Sequence, residues 1–269
     1  MESLESIISR LSYGEALNRY LELVREDLVD CFDRVRSVVC IQPHPDDTDI
    51  AAGGLVAKLA KRGVEVVYVT LTDGGLGTRD PETYPAKLAL ERRREQEEAA
   101  RVLGVKELVW LNYRDGELQP TLEARLELVL LIRKYKPDMV LAPDPWLSYE
   151  AHPDHRASGI LAAEAAFFSS LPHAAPSALA FNLKPHVVRY IAFYWTRKPN
   201  TLVDVSDYVE VKMKAVKAHK SQFGDIPAFE DALKTYMRLM GKRIGAEYAE
   251  AFKVLNPFNM HSNVFAEDL

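Results

Sequence analysis

Apolar residues follow two different spacings along the first half of this chain. Short continuous apolar runs are typical of strands that a parallel sheet buries on both faces, and they predict strands at 37–41, 64–71, 108–111 and 139–142. Longer segments with apolar residues three or four positions apart separate these runs and predict helices at 49–61, 85–103 and 122–135. Strands that alternate with helices form right-handed βαβ units. The pattern therefore predicts an α/β fold, a Rossmann-like, doubly wound and mostly parallel sheet with helices on both faces.

The two ends of the chain add to this plan. Helical spacing over residues 3–30 predicts an N-terminal helical extension of about residues 1–35. A helix is predicted from 155 to about 169, and the Pro/Ala/Ser-rich loop after it is long enough to be functional. The remaining prediction is two strands, two helices and an irregular tail, at 187–194, 201–205, 208–219, 226–240 and beyond. No repeat or linker interrupts the pattern, so we expect one domain over 1–269.

The composition of the chain argues against several classes of protein. Hydrophobic residues make up 48% of the 269 positions, charged residues 27%, and the net charge is −5. No face rich in Lys and Arg is visible, which argues against a nucleic-acid partner. No apolar run approaches the roughly 18 residues of a membrane span, and the N-terminus lacks a signal-peptide pattern. Cys31 and Cys40 lie among apolar residues, so we expect buried free thiols and a cytoplasmic protein.

The first chemical signal is His44-Pro45-Asp46-Asp47, directly after the first predicted strand. Ligands bind at the carboxyl ends of the strands in open α/β sheets, and this loop leaves such an end. An aspartate here could merely cap the next helix, but a cap explains neither His44 nor the proline that stiffens the loop.

The second signal is His152-Pro153-Asp154-His155, beyond the strand predicted at 139–142. A strand order of 3-2-1-4-5, common in doubly wound sheets, would place this loop beside the first motif. Imidazole nitrogens and carboxylate oxygens are zinc ligands, and a catalytic zinc needs only three from the protein. Six candidates are present, so the surplus groups could serve as a general base and as a stabiliser of an oxyanion.

These motifs resemble the LmbE-like, or PIG-L, family of zinc-dependent N-deacetylases. Residues between the motifs also match the family, namely Thr72-Asp73-Gly74, Arg92, Glu95, Ala99, Leu103-Gly104 and Asp115. The stretches CIQPHPDDTDIAAGG, LAPDPWLSYEAHPDHR and YAEAF are similar to archaeal members that deacetylate diacetylchitobiose. Many members have Glu after the paired aspartates, whereas this chain has Thr48, as the archaeal branch does. The resemblance spans about residues 37–265.

The resemblance implies a role for each matching position. It places the ligands of a Zn²⁺ ion on His44, Asp47 and His155, the general base on Asp46, and the oxyanion-stabilising or acid histidine on His152. Arg92 and Asp115 would hold sugar hydroxyls or shape the site. His261 would reach the active site of a neighbouring subunit in a homo-oligomer, a trimer or hexamer.

Several aromatic residues could present a flat face to a sugar ring or could equally be core residues. They are Trp146, Tyr149, Tyr194 and Trp195, of which we assign Trp146 and Tyr194 to substrate binding. His173, His186 and His219 are expected to be surface or packing residues.

The resemblance implies zinc-dependent hydrolysis of the N-acetyl group of an N-acetylglucosamine-containing sugar, above all N,N'-diacetylchitobiose, in chitin catabolism. Two alternatives stay open. One is the same chemistry on another N-acetyl sugar conjugate. The other is a non-catalytic carbohydrate- or nucleotide-binding α/β protein whose metal is structural.

Overall fold

The structure is a computed structural model, and it describes residues 10–26, 28, 30–223 and 227–269. Its strands are β1 (Ser37–Gln42), β2 (Glu65–Thr72), β3 (Glu107–Tyr113), β4 (Met139–Pro143), β5 (Tyr190–Tyr194), β6 (Thr201–Asp204) and β7 (Ala249–Leu255). Its α-helices are α1 (Tyr13–Glu26), α2 (Cys31–Arg34), α3 (Asp47–Lys61), α4 (Pro85–Leu103), α5 (Leu122–Tyr135), α6 (Pro153–Phe168), α7 (Val209–Ala218), α8 (Lys220–Phe223) and α9 (Pro227–Lys242).

The strands form one seven-stranded sheet in the order β3-β2-β1-β4-β5-β7-β6. The first five are parallel, which confirms the predicted doubly wound plan and the order 3-2-1-4-5. β1 lies in the middle of these five strands, and five of its six residues are buried. The strand order reverses between β1 and β4, so their carboxyl ends flank the crevice where α/β proteins bind ligands.

Local sequence signals set several helix boundaries. Thr121 caps α5 by accepting a hydrogen bond from the backbone of Ala124, as Ser and Thr commonly do at N-caps. Gly104 ends α4 with a φ of 80°, a left-handed conformation that glycine adopts without a Cβ clash. The predicted N-terminal helical segment contains α1, with the short α2 after it, while residues 3–9, 27 and 29 of the prediction lie outside the described residues.

The predicted irregular tail is partly wrong, because residues 249–255 form β7. This strand pairs antiparallel with both β5 and β6. All seven of its residues are buried, including the charged Glu250 and Lys253. Glu250 is paired with the buried Lys212 at 2.6 Å, and Lys253 donates to backbone carbonyls near the C-terminus. These charges broke the apolar pattern in the sequence, and only the fold supplies their partners.

Apolar cores lie on both faces of the sheet. One includes residues of α3, α4, α7 and α9, and the other includes residues of α1, α5 and α6. Arg133 is fully buried beside the second core, where it donates to the carbonyls of Ser169, Leu171 and Ala175. It thereby ties the long loop after α6 to α5.

Cys31 and Cys40 are free and buried, as expected. Among the described helices, none is both long enough and apolar enough to cross a membrane.

Candidate metal centre and active site

The loop after β1 holds the first motif in a strained conformation. Asp46 has φ 118° and ψ −30°, a region that costs a non-glycine residue about 1–3 kcal/mol. Two contacts stabilise it, since its amide donates to Gln96 Oε1 at 2.9 Å and its carboxylate pairs with Arg92 at 3.0 Å. Strain of this kind typically occurs where a side chain must point in an otherwise unfavourable direction.

The second motif begins α6. His152 is the N-cap residue, its ring accepts a hydrogen bond from the Asp154 amide, and Pro153 occupies the first turn. Proline is tolerated there because its missing N–H would have no helical partner. Asp154 and His155 therefore project from the first turn of α6, beside the end of β1.

Pairing of β1 with β4 brings the two motifs together. His44 Nδ1 lies 3.1 Å from Asp47 Oδ2, and His155 Nε2 lies 3.5 Å from Asp47 Oδ1. One nitrogen or oxygen from each of the three side chains lies within 4.8 Å of the others. Two imidazoles and a carboxylate are a donor set that suits zinc and leaves a coordination position open.

In His44 and in His155, the ring nitrogen that does not face Asp47 lies near another carboxylate. His44 Nε2 lies 3.2 Å from both Asp115 Oδ1 and Asp154 Oδ2, and His155 Nδ1 lies 3.0 Å from Glu150 Oε2. An N–H that donates to a carboxylate leaves the other ring nitrogen free to bind a metal. The sequence did not single out Glu150, and it gave Asp154 only as one of six possible ligands.

A second group of potential metal ligands contains His44, Asp115, His152 and Asp154. It uses the Nε2 side of His44, so a neutral imidazole could not ligate there and at Nδ1 simultaneously. Asp154 is fully buried and accepts from the backbone amides of Gly116 and Leu118 at 2.7 and 3.1 Å. We therefore interpret these carboxylates as groups that orient His44.

The electrostatics also suit a cation. Burial by itself would raise the pKa of Asp47, but His155 and His44 lower it to about 2. Burial likewise raises the pKa of Asp115, whereas a hydrogen bond from His44 and its charge lower the value to about 2. Both carboxylates are thus held in their ionised form, as metal ligands and their partners are.

Asp46 differs from Asp47 in its surroundings. Burial raises its pKa to about 6, an effect that Arg92 opposes and the Asp47 charge reinforces. It is not a member of either group of potential metal ligands. Arg92 donates to the carbonyls of Gly74 and Pro45 as well as to Asp46, so its guanidinium binds protein groups. It thereby ties the loop after β1 to the loop after β2, and its expected role of holding sugar hydroxyls or shaping the site stays a prediction.

Next to Arg92, α4 also carries Gln96, which belongs to a buried hydrogen-bond network that we did not predict from the sequence. Gln96 accepts from the Asp46 amide and donates to Asp49 Oδ2 at 2.7 Å, and His219 Nε2 lies 2.8 Å from that oxygen. His219 is fully buried, so of the two alternatives expected for it, surface or packing, the structure excludes the surface position and gives it a charged partner in Asp49. The family resemblance included Arg92 and Glu95 of this helix but not Gln96, and nothing local indicated the partners of Gln96.

Three residues expected to bind substrate do not line the cavity that contains His44 and His152. Tyr194 lies near the metal centre, where burial and then the charge of Asp47 raise its pKa well above the usual value. It is fully buried in the core, however, and cannot offer a face to a sugar. Trp146 is 62% exposed and packs edge-on against Phe193. His261 is exposed and packs on Phe167, which follows His155 by 12 residues, or about 18 Å along α6.

Two cavities flank this region. The first, of about 290 Å³, is lined by His44, Leu76, Gly77, Arg92, Asp115, Gly116, His152, Pro153 and Gln222. The second, of about 490 Å³, lies between Trp146, the end of β5 and the C-terminal tail. The first is smaller, but it has His44, Asp115 and His152 in its wall, so we take it as the candidate substrate pocket.

Comparisons with known proteins agree with this geometry. The profile of the PIG-L family, described as GlcNAc-PI de-N-acetylase, matches residues 39–166, which include both motifs. The chain is 43% identical over 257 residues to diacetylchitobiose deacetylase of Thermococcus kodakarensis, covering 95% of this chain and 96% of the relative.

Two solved structures show how far the similarity extends. The structure of N,N'-diacetylchitobiose deacetylase from Pyrococcus horikoshii matches with a TM-score of 0.90 and 44% identity, covering 96% of this chain and 98% of that one. A conserved protein of Thermus thermophilus matches with a TM-score of 0.68 and 32% identity, covering 80% and 92%. The similarity thus extends well beyond residues 39–166.

Proposed function

This chain belongs to the PIG-L family of de-N-acetylases, and we propose that it hydrolyses the acetamide of an N-acetylglucosamine-containing sugar to acetate and a free amine. One observation carries the proposal: a buried carboxylate, Asp46, lies next to the His44–Asp47–His155 group without belonging to it. A structural metal site needs only ligands, whereas a hydrolase also needs a carboxylate that can accept a proton. That difference disfavours the alternative of a non-catalytic binding protein.

The proposed metal is zinc, held by His44 Nδ1, Asp47 and His155 Nε2. The donor set supports it, as do the carboxylates that face the other nitrogen of each imidazole. When bound, zinc would polarise the acetamide carbonyl and lower the pKa of a water molecule.

Asp46 is proposed as the general base. With a pKa of about 6 it is ionised at neutral pH, yet basic enough to accept a proton from the attacking water. Arg92 and Gln96 hold its carboxylate and its amide, so its position is fixed before substrate binds. A fixed position matters because displacing a reacting group by about 1 Å can cost about 10²-fold in rate.

His152 is proposed to stabilise the oxyanion and to protonate the leaving amine. Its ring lies 4.5 Å from that of His44 between centroids, and its Nε2 lies 3.9 Å from Asp115 Oδ1. It lines the candidate pocket and is half-exposed, so a substrate can reach it. Burial and the charges of His44 and His155 lower the pKa of His152, and the charge of Asp115 opposes this shift.

The substrate we propose is N,N'-diacetylchitobiose, the sugar named in the two archaeal relatives. The pocket volume of about 290 Å³ is at the lower end of the range for small-molecule sites. It suits one N-acetylated ring with the second ring outside. Another N-acetyl sugar conjugate would fit the same chemistry and is the competing substrate.

We further propose that the chain is a single domain that assembles as a homo-oligomer of three or six copies in the cytoplasm. The exposed Phe258 and Val264 in the C-terminal tail give such an interface apolar surface to bury. The two unpaired thiols are in keeping with a reducing compartment.

Release of acetate tests the activity. The purified protein would be incubated with N,N'-diacetylchitobiose, N-acetylglucosamine and a non-sugar acetamide, and both acetate and free amine would be measured. We expect equal amounts of the two products from the sugars, and none after chelation. Absence of acetate from every sugar, with metal bound, would refute the proposed function.

A further inference from the structure

One wall of the pocket over His44 and His152 comes from a distant part of the chain. Gln222 lies in α8, beyond residues 39–166 that match the family profile. It is hydrogen-bonded to Gly77, and both residues line the pocket together with Leu76. Neither the two motifs nor the proposed chemistry gives it a role.

Contacts of the neighbouring residue fix the position of Gln222. Ser221 donates through both its amide and its hydroxyl to the carboxylate of Glu95, each at 2.6 Å. Glu95 is buried and belongs to α4, the helix that carries Arg92 and Gln96. The helix that holds the proposed base therefore also holds this wall.

The carboxamide of Gln222 has a defined orientation. Its Nε2 donates to the carbonyl of Gly77 at 3.0 Å and to Ser221 Oγ at 3.1 Å. A carbonyl only accepts hydrogen bonds, so it is the nitrogen of the carboxamide that must point to the Gly77 carbonyl. Oε1 has no hydrogen-bond partner among the described residues, and it is not among the buried unsatisfied atoms, so solvent can reach it.

Gly77 allows this oxygen to lie close to the catalytic groups. A Cβ on Gly77 would lie 2.6 Å from Arg92 Nη1 and 2.8 Å from Gln222 Oε1. The accessible oxygen thus lies near the guanidinium that pairs with Asp46. It is an unused hydrogen-bond acceptor at the pocket wall.

We infer that Gln222 Oε1 accepts a hydrogen bond from a hydroxyl group of the reacting sugar ring and so helps to determine which substrates the enzyme accepts. This inference rests on the proposed function. The ligand must supply a donor, because Oε1 can only accept. Neutral hydroxyls suit a pocket that already has the Asp115 carboxylate in its wall better than an anionic group would.

The test combines variants with altered substrates. Acetate release by the metal-loaded wild type and Gln222→Leu would be measured on N-acetylglucosamine and its 3-, 4- and 6-deoxy analogues. We expect Gln222→Leu to lower kcat/KM on the parent sugar about 3- to 10-fold, mainly through KM, as for a lost neutral hydrogen bond. On the one analogue that lacks the recognised hydroxyl, the wild type and the variant should agree within about 2-fold.

Controls separate this effect from misfolding and from failure of the proposed function. Gln119→Leu removes an exposed amide outside the pocket and should match the wild type on every sugar. Gln222→Leu should keep its metal content and its melting temperature. The inference is wrong if the wild type is active but Gln222→Leu lowers kcat/KM by the same factor on all four sugars, or lowers it on none. If the wild type releases no acetate from any sugar, the proposed function fails, and the inference fails with it.

Discussion

The imidazole rings of His152 and His155 lie stacked, with their centroids 5.1 Å apart and their planes 21° apart. His155 also stacks on Trp195 at 5.1 Å and 16°, so its ring packs on two flat neighbours. His155 is further held by Glu150, whereas His152 is half-exposed to the pocket. The stack thus joins a proposed metal ligand to a proposed acid, and their roles can be tested separately.

Metal removal is the first prediction. Chelation should abolish acetate release, and adding Zn²⁺ should restore it with about one ion bound per chain. Glu150→Gln should weaken metal affinity by about 10- to 100-fold, because it removes the carboxylate that orients His155. Metal analysis and competition with a chromogenic chelator measure both effects. Full activity in a metal-free preparation would contradict the proposed centre.

The two neighbouring aspartates give a matched pair of variants. Asp46→Asn should lose about 10²–10⁴-fold in rate while it keeps its metal, because it removes the base but no ligand. Asp47→Asn should lose the metal as well. Metal content per chain and kcat, measured on the same preparations, distinguish the two. Loss of metal from Asp46→Asn alone would show that the two roles are exchanged.

Replacing His152 tests the acid. His152→Ala should bind metal normally but lose about 10²–10³-fold in kcat, the usual cost of one oxyanion donor. Burial and the neighbouring His44 and His155 lower the pKa of His152. The alkaline decline of the pH–rate profile should therefore begin at lower pH than an exposed histidine would give, and it should vanish in the variant.

Replacing a histidine outside the site serves as the control for His152→Ala. His173 is exposed in the loop after α6, and His173→Ala should leave both the rate and the profile unchanged. If His152→Ala keeps a near-normal rate and the wild-type profile, His152 is a structural residue.

Buried His219 predicts pH-dependent stability. Burial lowers its pKa, but the hydrogen bond and charge of Asp49 outweigh this effect and raise the value above normal. A raised folded-state pKa stabilises the protein fully below the unfolded-state value of about 6.5, and this contribution is lost as the pH rises through the folded-state value. His219→Gln should therefore cost about 1.5–3 kcal/mol near pH 6 and less near pH 9.

Urea unfolding of wild type and His219→Gln at several pH values measures this difference. His173→Asn serves as the control for loss of an exposed histidine and should unfold like the wild type. A free-energy difference between wild type and His219→Gln that does not change with pH would contradict the ion pair with Asp49.

The last prediction concerns His261. Within its own chain it packs on Phe167, about 18 Å along α6 from His155, so a role in catalysis requires a neighbouring subunit. Mixing His261→Ala with Asp46→Asn chains should then partly restore activity, since some sites would contain both residues intact. Light scattering would establish the assembly and its exchange. A monomer, or no recovery between subunits that exchange, would contradict the shared site.

The sequence by itself determined the parallel part of the sheet and the two motifs that meet on it. Continuous apolar runs such as 37–41 can be buried only between layers of helices, and the carboxyl ends of parallel strands share one edge. His44 and His155 could therefore be placed together from the order of strands and loops alone. Glu250 and His219 could not be placed, because a buried charge is stable only beside its partner.

Only the tertiary structure decided which neighbours each group has. Lys212 makes β7 possible by pairing with Glu250, and Asp49 accounts for the burial of His219. The structure also decided between the two positions left open for Tyr194, which lies in the core, and it places Gln222 in the pocket wall, which nothing local to Gln222 indicated. The physical reason is that periodicity reports local burial, whereas hydrogen bonds and ion pairs between distant segments form only once the chain is packed.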